Sequence, residues 1–139
     1  MDLVDTYKFM KIFLTISTFF AVFSISANPK VYFINLEDGD RVESPFLIQF
    51  GLSGMGIAPA GTDRANTGHH HLLINVDDID LSKPIPSSSN YIHFGGGQTE
   101  SLVELMPGDY SMQLVLGDMT HTPHNPPIIS KRITITVID

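Results

Sequence analysis

The sequence predicts an all-β fold, an immunoglobulin-like antiparallel β-sandwich of about seven strands preceded by a signal-peptide helix. Three observations predict this fold. Short segments rich in β-branched and aromatic residues recur after residue 27 and are separated by turn-forming residues. Apolar and polar residues alternate in several of these segments, which is the period of a half-buried strand. No apolar pattern of helical period follows the first 27 residues.

The N-terminal residues have the layout of a secretory signal peptide. Two lysines precede an apolar run of 16 residues from Ile12 to Ala27, which ends in small residues. A basic start, a short apolar segment and a small-residue cleavage point are typical of such signals. An uncleaved anchor is the alternative, but a spanning helix needs about 20 apolar residues. We therefore predict a signal peptide at residues 1–27 and one domain at residues 28–139, periplasmic or secreted, with no membrane span after cleavage.

The composition excludes several kinds of partner. The net charge is −7, and it is unchanged without residues 1–27, which hold two acidic and two basic side chains. An acidic surface disfavours binding to nucleic acid and to anionic membranes. Cysteine is absent, so the domain carries neither a disulfide nor a lipid-modified cysteine and depends on its hydrophobic core. The expected partners are thus a metal ion or an envelope protein.

Seven strands are predicted in order along the domain. They are residues 31–36, 46–52, 70–76, 91–94, 99–105, 110–118 and 131–139. Three of them show inward-facing apolar residues at every second position. These residues are Phe46, Ile48 and Phe50; Tyr110, Met112, Leu114 and Leu116; and Ile133, Ile135 and Val137. Long loops rich in Gly, Pro or Ser join the strands at residues 54–68, 77–90 and 119–129.

Tyr110 strengthens the prediction of a sandwich. It follows the turn "MPGD" at the start of an alternating strand. This placement resembles the tyrosine corner of immunoglobulin-like domains, in which the hydroxyl bonds to nearby backbone. The fold by itself predicts no function, because sandwiches host many.

The histidines are the most informative residues. All six lie between His69 and His124, and three of them are consecutive. In a strand, His70 shares a face with Leu72, Ile74 and Val76, whereas His69 and His71 point the other way. At most two of the triplet can therefore face one site.

The remaining histidines lie where strands end or in loops. His93 belongs to "YIHFGGG", and His121 and His124 have an H-x-x-H spacing in a loop stiffened by prolines. Because a sandwich gathers its strand ends at two poles, we predict that His71, His121 and His124 converge in one site. His69 or His93 is expected at its edge.

Imidazole nitrogens suit zinc, copper or nickel, and added thioether sulfur favours copper. Met55 and Met119 lie in the same long loops as the histidines. The leading hypothesis is thus an exported, histidine-rich metal-binding module, copper before zinc, that acts as a carrier or chaperone. Its ligands would be drawn from His69, His71, His93, His121 and His124.

Two alternatives stay open. The domain could be a non-catalytic envelope binding or structural module whose histidines bond to backbone carbonyls and hold the loops in place. His70 is expected to be buried and hydrogen-bonded in this way. A periplasmic enzyme is the third alternative, with Glu100 beside His93 or Asp118 beside His121 as acid–base pairs. No serine lies in a nucleophile motif, and "FGGGQTE" leads into no helix that would bind phosphate.

Three motifs resemble those of a bacterial exported family, domain-of-unknown-function family 4399. They are "GHHHLL", "HFGGGQTE" and the GD-x-x-H-x-P-H-x-P pattern that begins at Gly117. The similarity extends from about Val31 to Val137, and Tyr110 stands where many members have histidine. The resemblance implies an exported domain. It implies no reaction, ligand or partner.

We predict that the exported protein begins at or near Asn28. The small residues before this position define the expected cleavage point. Mass spectrometry of protein recovered outside the cytoplasm should give the mass of residues 28–139. A full-length, membrane-bound species would contradict the prediction.

Overall fold

A computed structural model describes residues 28–139; the predicted signal peptide lies outside the described residues. Within that range the chain forms an all-β sandwich, as the sequence predicts, and contains no helix. None of its described segments is a helix long and apolar enough to cross a membrane.

Nine strands are present in the described part of the chain. They are β1 (Lys30–Phe33), β2 (Arg41–Glu43), β3 (Phe46–Ser53), β4 (Gly56–Ile57), β5 (Thr67–Ile74), β6 (Tyr91–His93), β7 (Glu100–Val103), β8 (Gly108–Gly117) and β9 (Ile133–Ile138). A three-stranded sheet has the order β1-β3-β7. A six-stranded sheet has the order β2-β9-β8-β5-β4, and β6 also pairs with β5.

The hydrophobic core lies between the two sheets. The alternation of the sequence places Ile48 and Phe50 of β3 against Leu72 of β5, and all three side chains are buried. The predicted inward faces of β8 and β9 also contribute to this core, from Tyr110 to Leu116 and from Ile133 to Val137. Burying these side chains is the dominant favourable term in folding a domain without disulfides.

The strand count and two pairings differ from the prediction of about seven antiparallel strands. The additional strands, β2 and β4, are only three and two residues long. Both pair in parallel, β2 with β9 and β4 with β5, at the edges of the larger sheet. Segments this short have no room to show an alternating pattern, which is why the sequence does not indicate them.

A second, smaller apolar cluster covers the other face of β5. It contains Leu73, Val76, Ile85 and Val115. Val76 was expected on the face of Leu72, but β5 ends at Ile74 and Asn75 has a φ of 54°. This left-handed residue turns the chain, so the alternation stops before Val76.

Tyr110 forms the predicted corner. Its hydroxyl donates a hydrogen bond to the backbone carbonyl of Met106, at 2.8 Å. The bond closes the turn that leads into β8, the central strand beside β5 and β9.

We expect Tyr110→Phe to lower the free energy of unfolding by about 0.5–1.5 kcal/mol, because the substitution removes one hydrogen bond and little else. Chemical denaturation of both proteins measures the difference. Tyr32→Phe is the matched control, since Tyr32 is 46% exposed and its hydroxyl makes no hydrogen bond within residues 28–139. Equal losses for the two variants would show that the corner bond contributes nothing.

Candidate metal centre

Strand β5 carries two histidines to the face opposite the main core. His69 and His71 occupy alternate positions, so both side chains point towards the loops that cover the outer side of the larger sheet. They are 0% and 1% exposed. Few histidines are buried this completely without a specific reason, because the imidazole has two polar nitrogens.

The neighbouring strands complete this surface through their register. His71 lies opposite His93 of β6, and His69 lies opposite Gly117 of β8. Directly opposite residues of antiparallel strands project to the same face, so His93 joins His71. Gly117 leaves the space that the His71 ring occupies, since a β-carbon there would lie 2.6 Å from His71 Cε1.

His121 reaches the site from the turn that follows β8. The Asp118 carboxylate organises this turn by accepting hydrogen bonds from the Thr120 and Thr122 backbone amides and from the Thr120 hydroxyl. The His121 carbonyl accepts a bond from the Ile85 amide, at 2.8 Å. His121 has a φ of 67°, a left-handed conformation that costs energy for a residue with a side chain. The hydrogen bonds of the turn hold His121 in this conformation.

These elements bring four imidazoles together. We call His69, His71, His93 and His121 the four-histidine cluster; one ring nitrogen from each lies within 4.8 Å of all the others. His69 Nε2 and His121 Nδ1 are 3.1 Å apart and share a hydrogen bond. The His71 and His93 rings stack with centroids 5.0 Å apart. The first two members are buried, His121 is half-buried and His93 is exposed.

Burial keeps the inner imidazoles neutral. The pKa of His69 is lowered from 6.5 to about 4 and that of His71 to about 3, and desolvation by burial is the largest cause of both shifts. Repulsion from the other cluster histidines also contributes to both of these lowered pKa values. The pKa of exposed His93 is also lowered, by desolvation and by His121. Neutral imidazole is the form that binds a metal ion.

Two buried nitrogens of the cluster are unsatisfied. His69 Nδ1 and His71 Nδ1 have no hydrogen-bond partner within the described chain. The residues present fit a metal ion because each of the four imidazoles offers a ring nitrogen within 4.8 Å of the others.

His70 behaves as a structural histidine. It is 0% exposed and faces the main core, where its ring packs against Phe50 at a centroid distance of 5.1 Å. Its Nδ1 lies 3.3 Å from the Gln98 carbonyl oxygen, to which it donates. The expectation that His70 is buried and hydrogen-bonded thus agrees with the structure, although its Nε2 has no partner in the described region.

His124 lies outside the four-histidine cluster. The sequence placed it with His121 because of their H-x-x-H spacing. The turn at His121 and the bridge between Gly117 and Pro123 direct the chain away, and the His124 ring packs beside Gly68. His69 and His93, one of which was expected at the edge of the site, both belong to the cluster.

Neither methionine singled out in the sequence is part of this cluster. Met55 is partly buried and packs against the main hydrophobic core. Met119 lies in the same turn as His121, and 41% of its surface is exposed.

The two acid–base pairs have other roles in the structure. Glu100 lies on β7 of the smaller sheet, where its carboxylate accepts a hydrogen bond from Gln49, at 3.0 Å. Asp118 positions His121 through the backbone of the turn rather than by contact with the imidazole.

Two glycines that make room for the rings were not predicted from the sequence. Gly117 at the end of β8 and Gly95 after His93 each face an imidazole where a β-carbon would overlap it. An isolated glycine at the end of an otherwise apolar strand was the available signal, because it indicates a close approach.

Fold and site together define an all-β sandwich domain with a buried histidine cluster on one sheet. The chain belongs to the family described as Domain of unknown function (DUF4399), whose sequence profile matches residues 48–138. The matched region contains the whole four-histidine cluster and confirms the resemblance noted in the sequence. No curated protein and no solved structure matches the chain.

We expect the metal-free protein to lose stability as pH falls from about 6.5 to 4. The unfolded chain binds protons at the ordinary histidine pKa of 6.5, whereas folded His69 and His71 stay neutral down to about 4 and 3. Acid therefore favours unfolding, by about 1.4 kcal/mol per pH unit for each histidine.

Denaturation at several pH values, with a chelator present, measures this slope. His71→Gln removes one of the histidines with a lowered pKa and should flatten the slope by about 1.4 kcal/mol per pH unit. Parallel slopes for the two proteins would contradict the assignment of a neutral, buried His71.

Proposed function

We propose that this protein is an exported metal-binding module, copper before zinc, that acts as a carrier or chaperone for the ion. One observation carries the proposal. Four imidazoles from β5, β6 and the turn after β8 place their ligand nitrogens within 4.8 Å of one another. No single segment supplies the set, so it exists only in the folded domain.

The spacing of the nitrogens suits metal coordination. Zinc–imidazole bonds of about 2.0–2.1 Å place the nitrogens of a tetrahedral site about 3.3 Å apart. Square-planar copper with similar bonds requires about 2.9 Å between neighbours and 4.1 Å between opposite ligands. The separation of 3.1 Å between His69 and His121 is already in this range. All four ligand nitrogens lie within 4.8 Å of one another, close to the separation of opposite ligands in a square-planar site.

Copper is proposed ahead of zinc because nitrogen ligands bind Cu²⁺ more tightly than they bind the other divalent ions of the first transition row. The four-imidazole set accepts the tetragonal geometry of Cu²⁺, and Met119 lies in the adjoining turn if a thioether is needed for reduced copper. Zinc fits the same ligands in a tetrahedral arrangement.

A carrier is favoured over an enzyme by the number of ligands. Catalytic zinc sites keep one coordination position open for water or substrate, whereas sites with four protein ligands are closed. The cluster provides four. The net charge of −7 additionally attracts cations over a longer range. Export by the predicted signal peptide would place this site in the periplasm or outside the cell.

The alternative is an envelope module in which the histidines hold loops in place. The bond between His69 and His121, which joins β5 to the turn after β8, favours it. The hydrogen bond from His70 to the Gln98 carbonyl also favours this alternative.

Metal titration of the untagged protein, residues 28–139, tests the proposal. An affinity tag of histidines would bind metal itself and must be absent. We expect the protein to bind one Cu²⁺ per chain and to bind Zn²⁺ more weakly. The electron paramagnetic resonance spectrum of the copper complex should show nitrogen ligands. At a free-ion concentration 100 times the Kd, the ion should stabilise the fold by about 2.7 kcal/mol.

The matched variants are His71→Gln and His124→Gln. Both replace one histidine by the same residue, but only His71 belongs to the four-histidine cluster. We expect His71→Gln to abolish stoichiometric binding and His124→Gln to retain it. A wild-type protein that binds neither ion, and is destabilised by His71→Gln, would establish the loop-holding alternative.

A further inference from the structure

Among the four-histidine cluster, His93 differs from the other three in its access to solvent. His69 and His71 are fixed in the buried interior of β5, and His121 is fixed by the hydrogen bonds of its turn. His93 is exposed and is the last residue of β6, a strand of three residues that pairs with β5 at its side.

The backbone around His93 is nevertheless well anchored. The amide of the next residue, Phe94, donates to the His70 carbonyl at 3.0 Å, and the Phe94 side chain is buried in the main core. The Gly95 carbonyl accepts a bond from the Ala60 amide at 2.9 Å. The backbone therefore holds its position while the imidazole, on two rotatable side-chain bonds, can turn towards solvent.

Gly95 provides the space in which the His93 ring lies over the cluster. A β-carbon on Gly95 would overlap atoms of that ring, and the anchored backbone on both sides leaves only the ring to move. Gly95 does not have the positive φ that only glycine adopts readily, so alanine suits its backbone conformation. The absence of a side chain at Gly95 therefore allows the His93 ring to lie over the cluster.

We infer that His93 is the exchangeable ligand of the site: the ion enters and leaves when the His93 imidazole gives way to an incoming imidazole or another neutral nitrogen ligand. This inference rests on the proposed function. The other three histidines hold the ion during the exchange, so that it passes to an acceptor without being released into solution. The acceptor presents a neutral nitrogen donor at the exposed end of β6.

Copper transfer from the loaded protein to an excess chelator tests the inference, with equilibrium affinity measured in parallel. His93→Ala should still bind one Cu²⁺, with a raised Kd, because three of the four imidazoles remain. Its release to the chelator should be faster than that of the wild type. Free imidazole should restore the wild-type affinity and the resonance spectrum, because it fills the vacant fourth position.

Gly95→Ala tests the same role without removing a histidine. It should displace the His93 ring and reproduce the weaker binding and the faster release of His93→Ala. Gly96→Ala is the matched control. A β-carbon at Gly96 would meet only the flexible end of the Gln98 side chain, 3.2 Å away, and it should leave affinity and release unchanged.

Two further variants, His71→Gln and His121→Gln, serve as references for His93→Ala. Both should lose stoichiometric copper binding, and added imidazole should not restore it. His121→Gln changes a half-buried residue of the turn after β8 and leaves the residues of β5 themselves unchanged. The inference is overturned if His93→Ala binds and releases copper as the wild type does, or if it loses copper as completely as His121→Gln. A wild-type protein that binds no copper or zinc would instead refute the proposed function itself.

Discussion

The pairing of β5 with β8 on one side and β6 on the other is the constraint on which the site depends. In a strand, alternate residues face opposite sides, so the triplet divides into two outward imidazoles and one that faces the core. The register then decides what lies beside the outward pair: Gly117 opposite His69, and His93 opposite His71. A slip of one residue would place His70 among the loops and move two imidazoles into the apolar core, where their nitrogens would have no partners. The core and the cluster therefore specify the same register.

The four-histidine cluster is an expensive arrangement for a protein that needs only to fold. A buried polar atom without a hydrogen bond costs about 1–3 kcal/mol, and His69 and His71 each have one such nitrogen. Apolar residues at these positions would extend the neighbouring cluster of Leu73 and Val115 without this cost. Low pKa values follow from the same burial, since protonating one ring would place a charge among three other imidazoles. A cation that accepts nitrogen lone pairs from several neutral rings at once makes use of this arrangement, which is the physical argument for a cation at this point.

Features that depend on the local residue pattern could be predicted from the sequence. Features that depend on the path of the chain between distant segments could not. Alternation correctly assigned the inward faces of β3, β8 and β9 and the division of the histidine triplet, because the two-residue period is a property of each strand alone. The tyrosine corner was also predictable, since donor and acceptor are four residues apart. His124 was different. Its spacing from His121 suggested a shared site, but the left-handed turn at His121 and the bridge to Pro123 direct the chain elsewhere. Whether His93 or His124 joins the cluster is decided by strand pairing and turn geometry across long separations in sequence.

The four histidines also differ in how far each ring can adjust, and this would bear on which ion the proposed metal site prefers. His69 and His71 lie on one strand, roughly 6.6 Å apart along the backbone at two residues of rise, and their rings converge to a centroid distance of 4.7 Å. In the proposed metal site, this pair would suit either a tetrahedral or a tetragonal ion. His121 in its turn and His93 at the end of a short strand would supply the remaining two nitrogens, and their ring orientations would decide between the two geometries. Any selectivity between copper and zinc would therefore depend on the turn organised by Asp118 and on the space at Gly95 more than on the histidine triplet that dominates the sequence.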